Sequence, residues 1–157
     1  MSSSTPVSQA TASSLHAILA QPAIPSICQD IASMPTILVI DDDPGLCRLL
    51  AHSLEYANYT AVTATDGAAG LTLFDQHAID LVILDLSMPH MDGFSICAAI
   101  RARSSVAILI LSALTGQDVQ ARVKRSGADA YLAKPPRLAE LHRVVQTLLG
   151  LHPACNR

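Results

Sequence analysis

Five side chains capable of ionic or nucleophilic chemistry occupy the same place in a recurring pattern, just past a short apolar run. Asp41 and Asp42 follow the run 37–40, Asp85 follows 81–84, Ser112 follows 106–111 and Lys134 follows 130–133. Aspartate is almost never buried unless something pairs with it, so a carboxylate at the tip of a buried strand calls for a partner. Three carboxylates drawn together repel one another unless a cation sits among them. A small hard cation fits that set: Mg²⁺ takes one or two carboxylates, keeps several waters and leaves room for a phosphate oxygen. Asp85 can then serve as a nucleophile, because carboxylates form aspartyl-phosphate intermediates. Phosphoryl transfer asks mainly for position and charge neutralisation. Lys134 offers a second positive charge, Ser112 a hydroxyl donor, and Ser87 a backbone carbonyl for the metal. Asp43 differs from its two neighbours, because with Pro44 after it, it reads as the N-cap of a helix.

The elements that must position these residues alternate. Unbroken apolar runs at 37–40, 81–84 and 106–111 read as strands buried on both faces, as in a parallel sheet. The weaker alternation over 59–65 suits a strand nearer the edge, and 130–133 is a short strand delivering Lys134. Between them lie helical patterns. The first carries Leu46, Leu49, Leu50 and Leu54 as one buried face, and the second starts at Asp66-Gly67 with Leu71 and Phe74 as anchors. After Asp85 comes a loop through Met88-Pro89 and Asp92-Gly93, then a helix with Phe94, Ile96, Cys97 and Ile100. A polar helix over 117–126 ends at Gly127 in a left-handed C-cap. The last helix spaces Leu138, Leu141, Val145 and Leu148. Five strands alternating with five helices predict a doubly wound α/β sheet with right-handed crossovers. Ligands of such sheets collect outside the carboxyl ends of the strands, where every candidate residue stands.

At 157 residues the chain has room for one domain and an extension. Residues 1–35 read as a flexible Ser/Thr/Ala/Pro-rich leader with no Lys or Arg, 36–152 as the folded domain and 153–157 as a short tail. The net charge of -3, with basic residues adjacent only at Lys124-Arg125, argues against a nucleic-acid-binding domain. Cys28, Cys47, Cys97 and Cys155 show no metal-ligand spacing and read as reduced thiols. No apolar run is long enough to span a bilayer. The histidines lack metal-ligand spacing too, and His90 reads as an exposed loop residue.

The motifs ILVIDDDP, DLVILDLSMPHMDG, ILILSA and GADAYLAKP, in that order, resemble the receiver domain of two-component response regulators over residues 36–150. The resemblance implies a flavodoxin-like (βα)5 fold with strand order 2-1-3-4-5. It also implies a Mg²⁺-dependent phosphorelay protein, with Mn²⁺ as the alternative ion. By position, Asp85 matches the phosphoacceptor, Asp41 and Asp42 the acidic metal pair, Ser112 the switch hydroxyl and Lys134 the family's lysine. Tyr131 matches the switch aromatic, whose ring moves inward as the hydroxyl at the Ser112 position shifts toward the phosphate. A cis peptide bond at Lys134-Pro135 fits the family and the small trans preference of X-Pro bonds. One departure stands out: Pro136 occupies a position where the family usually has Phe.

The expected function is therefore a cytoplasmic, stand-alone receiver. It takes phosphate onto Asp85 from a sensor histidine kinase or a histidine phosphotransfer protein. As a phosphoprotein it catalyses only its own phosphorylation and slow autodephosphorylation. With no effector domain expected past Arg157, output is expected through a downstream protein target, a phosphorylation-dependent homodimer or phosphate drain, without direct DNA binding or membrane insertion. Two other classes compete. A metal-dependent phosphohydrolase commonly needs an acid two residues past its aspartyl nucleophile, where this chain has Ser87. A receiver-like interaction module that takes no phosphate has no need of all five site residues.

Overall fold

The computed structural model describes residues 34–150. The readings of the leader (apart from residues 34 and 35), of the tail, and of Cys28 and Cys155 lie outside the described residues. Seven strands and five helices are described. The main sheet is formed by β1 (Thr36–Ile40), β2 (Thr60–Ala64), β3 (Leu81–Leu84), β6 (Ala107–Ser112) and β7 (Ala130–Ala133). The helices are α1 (Pro44–Tyr56), α2 (Gly67–Gln76), α3 (Gly93–Arg101), α4 (Gln117–Ser126) and α5 (Leu138–Leu148). The sheet order is β2-β1-β3-β6-β7 and every pair in it is parallel. With the main strands counted in chain order this is the 2-1-3-4-5 arrangement of a flavodoxin-like fold. Two further strands, β4 (Ser87–Met88) and β5 (Met91–Asp92), form a small antiparallel ribbon where the sequence suggested only a loop.

Helices cover both faces of the sheet, which is why its central strands are apolar throughout. Successive strand side chains point to opposite faces. Ile37, Val39, Leu81, Ile83, Leu109 and Leu111 therefore pack with Cys47, Leu50 and Leu54 of α1 and Leu141 and Val145 of α5. Leu38, Ile40, Val82, Leu84, Ile108 and Ile110 pack on the other side with Ile96, Cys97 and Ile100 of α3 and Val123 of α4. Each fully buried Leu or Ile contributes on the order of 2 kcal/mol, so this double core holds the sheet rigid beneath its loops.

Several helix faces differ from the sequence reading. Leu49 is exposed, and the buried stripe of α1 runs through Cys47, Leu50 and Leu54 instead. Cys47 precedes Leu50 and Leu54 by three and seven positions, so it lies on their stripe and Leu49 does not. In α2 the buried residues are Gly67 and Gly70, while Leu71 and Phe74 are only half-buried. A Cβ on Gly70 would lie 2.6 Å from Ile40 Cδ1, so α2 packs by close approach of its backbone to β1. Leu138 is exposed at the start of α5. The left-handed cap at Gly127 is present, with φ at 84°. The Lys134-Pro135 peptide is cis.

Candidate functional site

Parallel pairing carries the chain one residue past each strand, and those residues form the rim that bears the candidate site. The Asp41 N–H donates to Ala64 O at 3.1 Å, the Asp85 N–H to Ile40 O at 2.9 Å and the Lys134 N–H to Ser112 O at 2.9 Å. Asp41 and Asp85 thus stand side by side past β1 and β3, at the point where the chain order of the strands reverses. Ser112 closes β6 and Lys134 follows β7.

The side chains converge. Asp41, Asp42 and Asp85 each offer a carboxylate oxygen within 4.8 Å of the others. Asp41 and Asp85 are 1% and 2% exposed, while Asp42 faces solvent. Lys134 Nζ lies 2.6 Å from Asp41 Oδ2 and 3.3 Å from Asp85 Oδ2. One ammonium among three carboxylates leaves an excess of negative charge. Asp85 Oδ1 is buried without a hydrogen-bond partner among the described residues, whereas Asp41 Oδ2 is taken up by the Lys134 ammonium. A buried carboxylate oxygen left open at Asp85, in an acidic cluster whose single ammonium does not balance the charge, is what a hard divalent cation with oxygen ligands requires, so the residues present fit such an ion.

The electrostatics follow the same logic. Burial pushes the Asp85 carboxyl above its ordinary value; the Ser87 backbone N–H and the charge of Lys134 pull the other way, and the charge of Asp41 adds to the rise. Burial alone would lower Lys134, but the hydrogen bond and charge of Asp41, followed by those of Asp85, hold the ammonium above its usual range. Ser112 is fully buried and its Oγ accepts from the Leu114 N–H at 3.2 Å. Tyr131, half-buried on β7, donates its hydroxyl to the Leu114 carbonyl. Ser87 is exposed and pairs with Asp92 in the β4–β5 ribbon. His90 is exposed at the ribbon's tip.

Three supporting residues were not legible as such in the sequence. Cys47, buried on α1, donates its thiol to Asp41 O at 3.3 Å; burial, then the charge of Asp41, push that thiol up to about 11. Leu114 joins Ser112 to Tyr131, and nothing in its sequence context marks it. Gly93 is the third. A Cβ there would lie 2.4 Å from Asp85 O and 2.6 Å from Leu86 Cα, so only glycine lets α3 start this close to the site. Its Asp-Gly context had suggested only a turn.

A doubly wound sheet thus carries an acidic, lysine-bridged pocket at its switch point. The family model of the response regulator receiver domain matches residues 37–146, and the chain belongs to that family. The "DNA-binding dual master transcriptional regulator RpaA" of Synechocystis is 41% identical over 121 residues, covering 74% of this chain and 49% of the relative. The "Transcriptional regulatory protein PrrA" of Mycobacterium tuberculosis is 38% identical over 116 residues, covering 73% and 50%. The chain spans about half the length of the curated relatives it matches. Among solved structures, Vibrio cholerae chemotaxis protein CheY4 superposes with a TM-score of 0.71 at 30% identity, covering 74% of this chain and 99% of that one. Thermotoga maritima response regulator TrrA, solved in complex with Mg(2+)-BeF, gives 0.67 at 33% identity, covering 73% and 99%. No helix among the described residues is long and apolar enough to cross a membrane.

Proposed function

We propose that this receiver accepts a phosphoryl group on Asp85 from a phosphohistidine of a sensor kinase or phosphotransfer protein. The observation that carries the reading is the buried, open Oδ1 of Asp85 beside Asp41, Asp42 and the Lys134 ammonium. An Asp85 oxygen attacks phosphorus, the P–N bond of the donor breaks, and the imidazole leaves with the bonding pair and takes up a proton. Lys134 bears on the negative charge of the transferred group, and the Ser112 hydroxyl turns from Leu114 to donate to a phosphoryl oxygen. Asp41, Asp42 and Asp85, with the Ser87 carbonyl as a further oxygen, would hold a Mg²⁺ or Mn²⁺ ion, which would supply the positive charge that neutralises donor and acceptor.

The domain turns over no external substrate, its only further chemistry being slow hydrolysis of its own acyl phosphate. Output leaves through a protein target or a second copy at the surface of α4, β7 and α5, next to Tyr131, in the cytoplasm. Residues 34–150 make no direct DNA contact in this reading; the DNA binding in one relative's name belongs to a protein about twice the matched length. The reading is supported by membership of the receiver family and tested by incubating the full chain with acetyl phosphate, with and without Mg²⁺, and measuring intact mass. One added phosphoryl group only with the metal is expected; an unchanged mass under both conditions contradicts it.

A further inference from the structure

The loop that presents Asp41 is built from two linked side-chain-to-backbone turns, and the second is anchored in α1. The Asp43 N–H donates to Asp41 Oδ1 at 2.9 Å, occupying that oxygen and leaving Oδ2 turned to Lys134. The direction of this N–H depends on the backbone of Asp43, which its own side chain helps to fix. Asp43 Oδ1 accepts from the Gly45 N–H at 2.8 Å and the Leu46 N–H at 3.2 Å, with Asp43 in the extended conformation of an N-cap. Gly45 makes room for it, since a Cβ there would lie 3.1 Å from Asp43 Oδ1. Asp43 itself is exposed, so neither packing nor burial holds it. The cap is thus the side-chain link that ties the orientation of a buried carboxylate to the first turn of a helix, beside the Cys47 N–H on the Asp43 carbonyl at 3.0 Å.

We infer that Asp43 is a positioning residue for the acidic pocket: its capping bonds aim the N–H that sets the orientation of the Asp41 carboxylate within it. This rests on the reading of Asp41, Asp42 and Asp85 as the metal site. Partners that hydrogen-bond a metal-ligating carboxylate tune its affinity by about ten-fold or more when removed. The effect is one of direction, not of charge, because asparagine caps a helix as well as aspartate does.

The test is calorimetric titration of Mg²⁺ into the full chain as wild type, Asp43→Ala, Asp43→Asn and Asp66→Ala. Asp66 caps α2 through the Ala69 N–H at 2.7 Å and is not among the acids that cluster around Asp85, so its loss reports general loosening. Roughly ten-fold weaker Mg²⁺ binding in Asp43→Ala, with affinity near wild type in Asp43→Asn and Asp66→Ala, is expected. Unchanged affinity in Asp43→Ala overturns the inference. So does an equal fall in Asp43→Asn, which assigns the effect to charge, or an equal fall in Asp66→Ala, which assigns it to stability. A wild type that binds no Mg²⁺ overturns the metal-site reading itself.

Discussion

Ser112 and Tyr131 hold the same residue from two sides: the Ser112 Oγ accepts from the Leu114 N–H, and the Tyr131 hydroxyl donates to the Leu114 carbonyl. If Ser112 turns to a phosphoryl group, the Leu114 N–H loses its acceptor and the anchor of the tyrosine loosens. Leu114, 46% exposed, has room to move. Tyrosine difference absorbance should then report burial of Tyr131 on phosphoryl loading, with the signal lost in Tyr131→Phe and strongly reduced in Ser112→Ala. An undiminished signal in Ser112→Ala would sever the link.

Asp85→Asn should stabilise the protein in the absence of divalent ions. The folded carboxyl lies above its ordinary value of 3.8, chiefly through burial, so the ionised form costs stability at pH 7. That cost vanishes as pH falls through the folded value toward the unfolded one. The variant's advantage in chelator should therefore be present at neutral pH and shrink in acid. A gain of about 1 kcal/mol would raise Tm by roughly 4 °C for a domain of this size. Mg²⁺ should reverse the order: at a hundred times its Kd it adds about 2.7 kcal/mol to wild type and little to the variant. Thermal melts in chelator and in Mg²⁺ decide this.

Lys134→Ala should behave in the opposite sense. The ammonium is the counter-ion of Asp41 and Asp85, so its removal costs stability in chelator. About 2 kcal/mol is expected, below the 3–5 kcal/mol of a fully buried pair because Lys134 keeps 18% exposure. Mg²⁺ should restore part of the loss by taking over the neutralising role. The raised value of Lys134 means its contribution is complete below the unfolded value of 10.5 and is lost as pH rises through the folded one. Urea unfolding against pH should show wild type converging on the variant at the alkaline end, as the ammonium deprotonates, and again in acid, as Asp41 and Asp85 protonate.

Gly93→Ala should weaken both fold and site. The new Cβ meets backbone atoms of Asp85 and Leu86, which cannot swing aside as a flexible side chain would. We expect a loss of about 2 kcal/mol, in the range of overpacked sites, together with slower phosphoryl uptake. Urea denaturation and the labelling rate measure the two effects separately.

Much of this was legible in the chain because strand burial and helix capping are written locally. The run 81–84 ends on Asp85, and Asp43-Pro44 announces a helix start that the structure places at Pro44. The convergence of Asp41, Asp42 and Asp85 followed from the rule that strand ends share one edge. What escaped depends on neighbours distant in sequence. Leu49 looked apolar and buried, but the stripe of α1 is set by where Cys47 meets β1. The β4–β5 ribbon is two residues per strand, too short to show alternation. Gly93 reveals its constraint only when Asp85 is placed beside it.

The most direct measurement is chemical trapping of the acyl phosphate. The full chain is incubated with acetyl phosphate and Mg²⁺, reduced with borohydride, which converts a phosphorylated aspartate to homoserine, and mapped by peptide mass spectrometry. Homoserine at position 85, and none in Asp85→Asn, is the predicted result. Homoserine at 41 or 42 instead, or no conversion in wild type, would contradict the assignment of Asp85 as the acceptor.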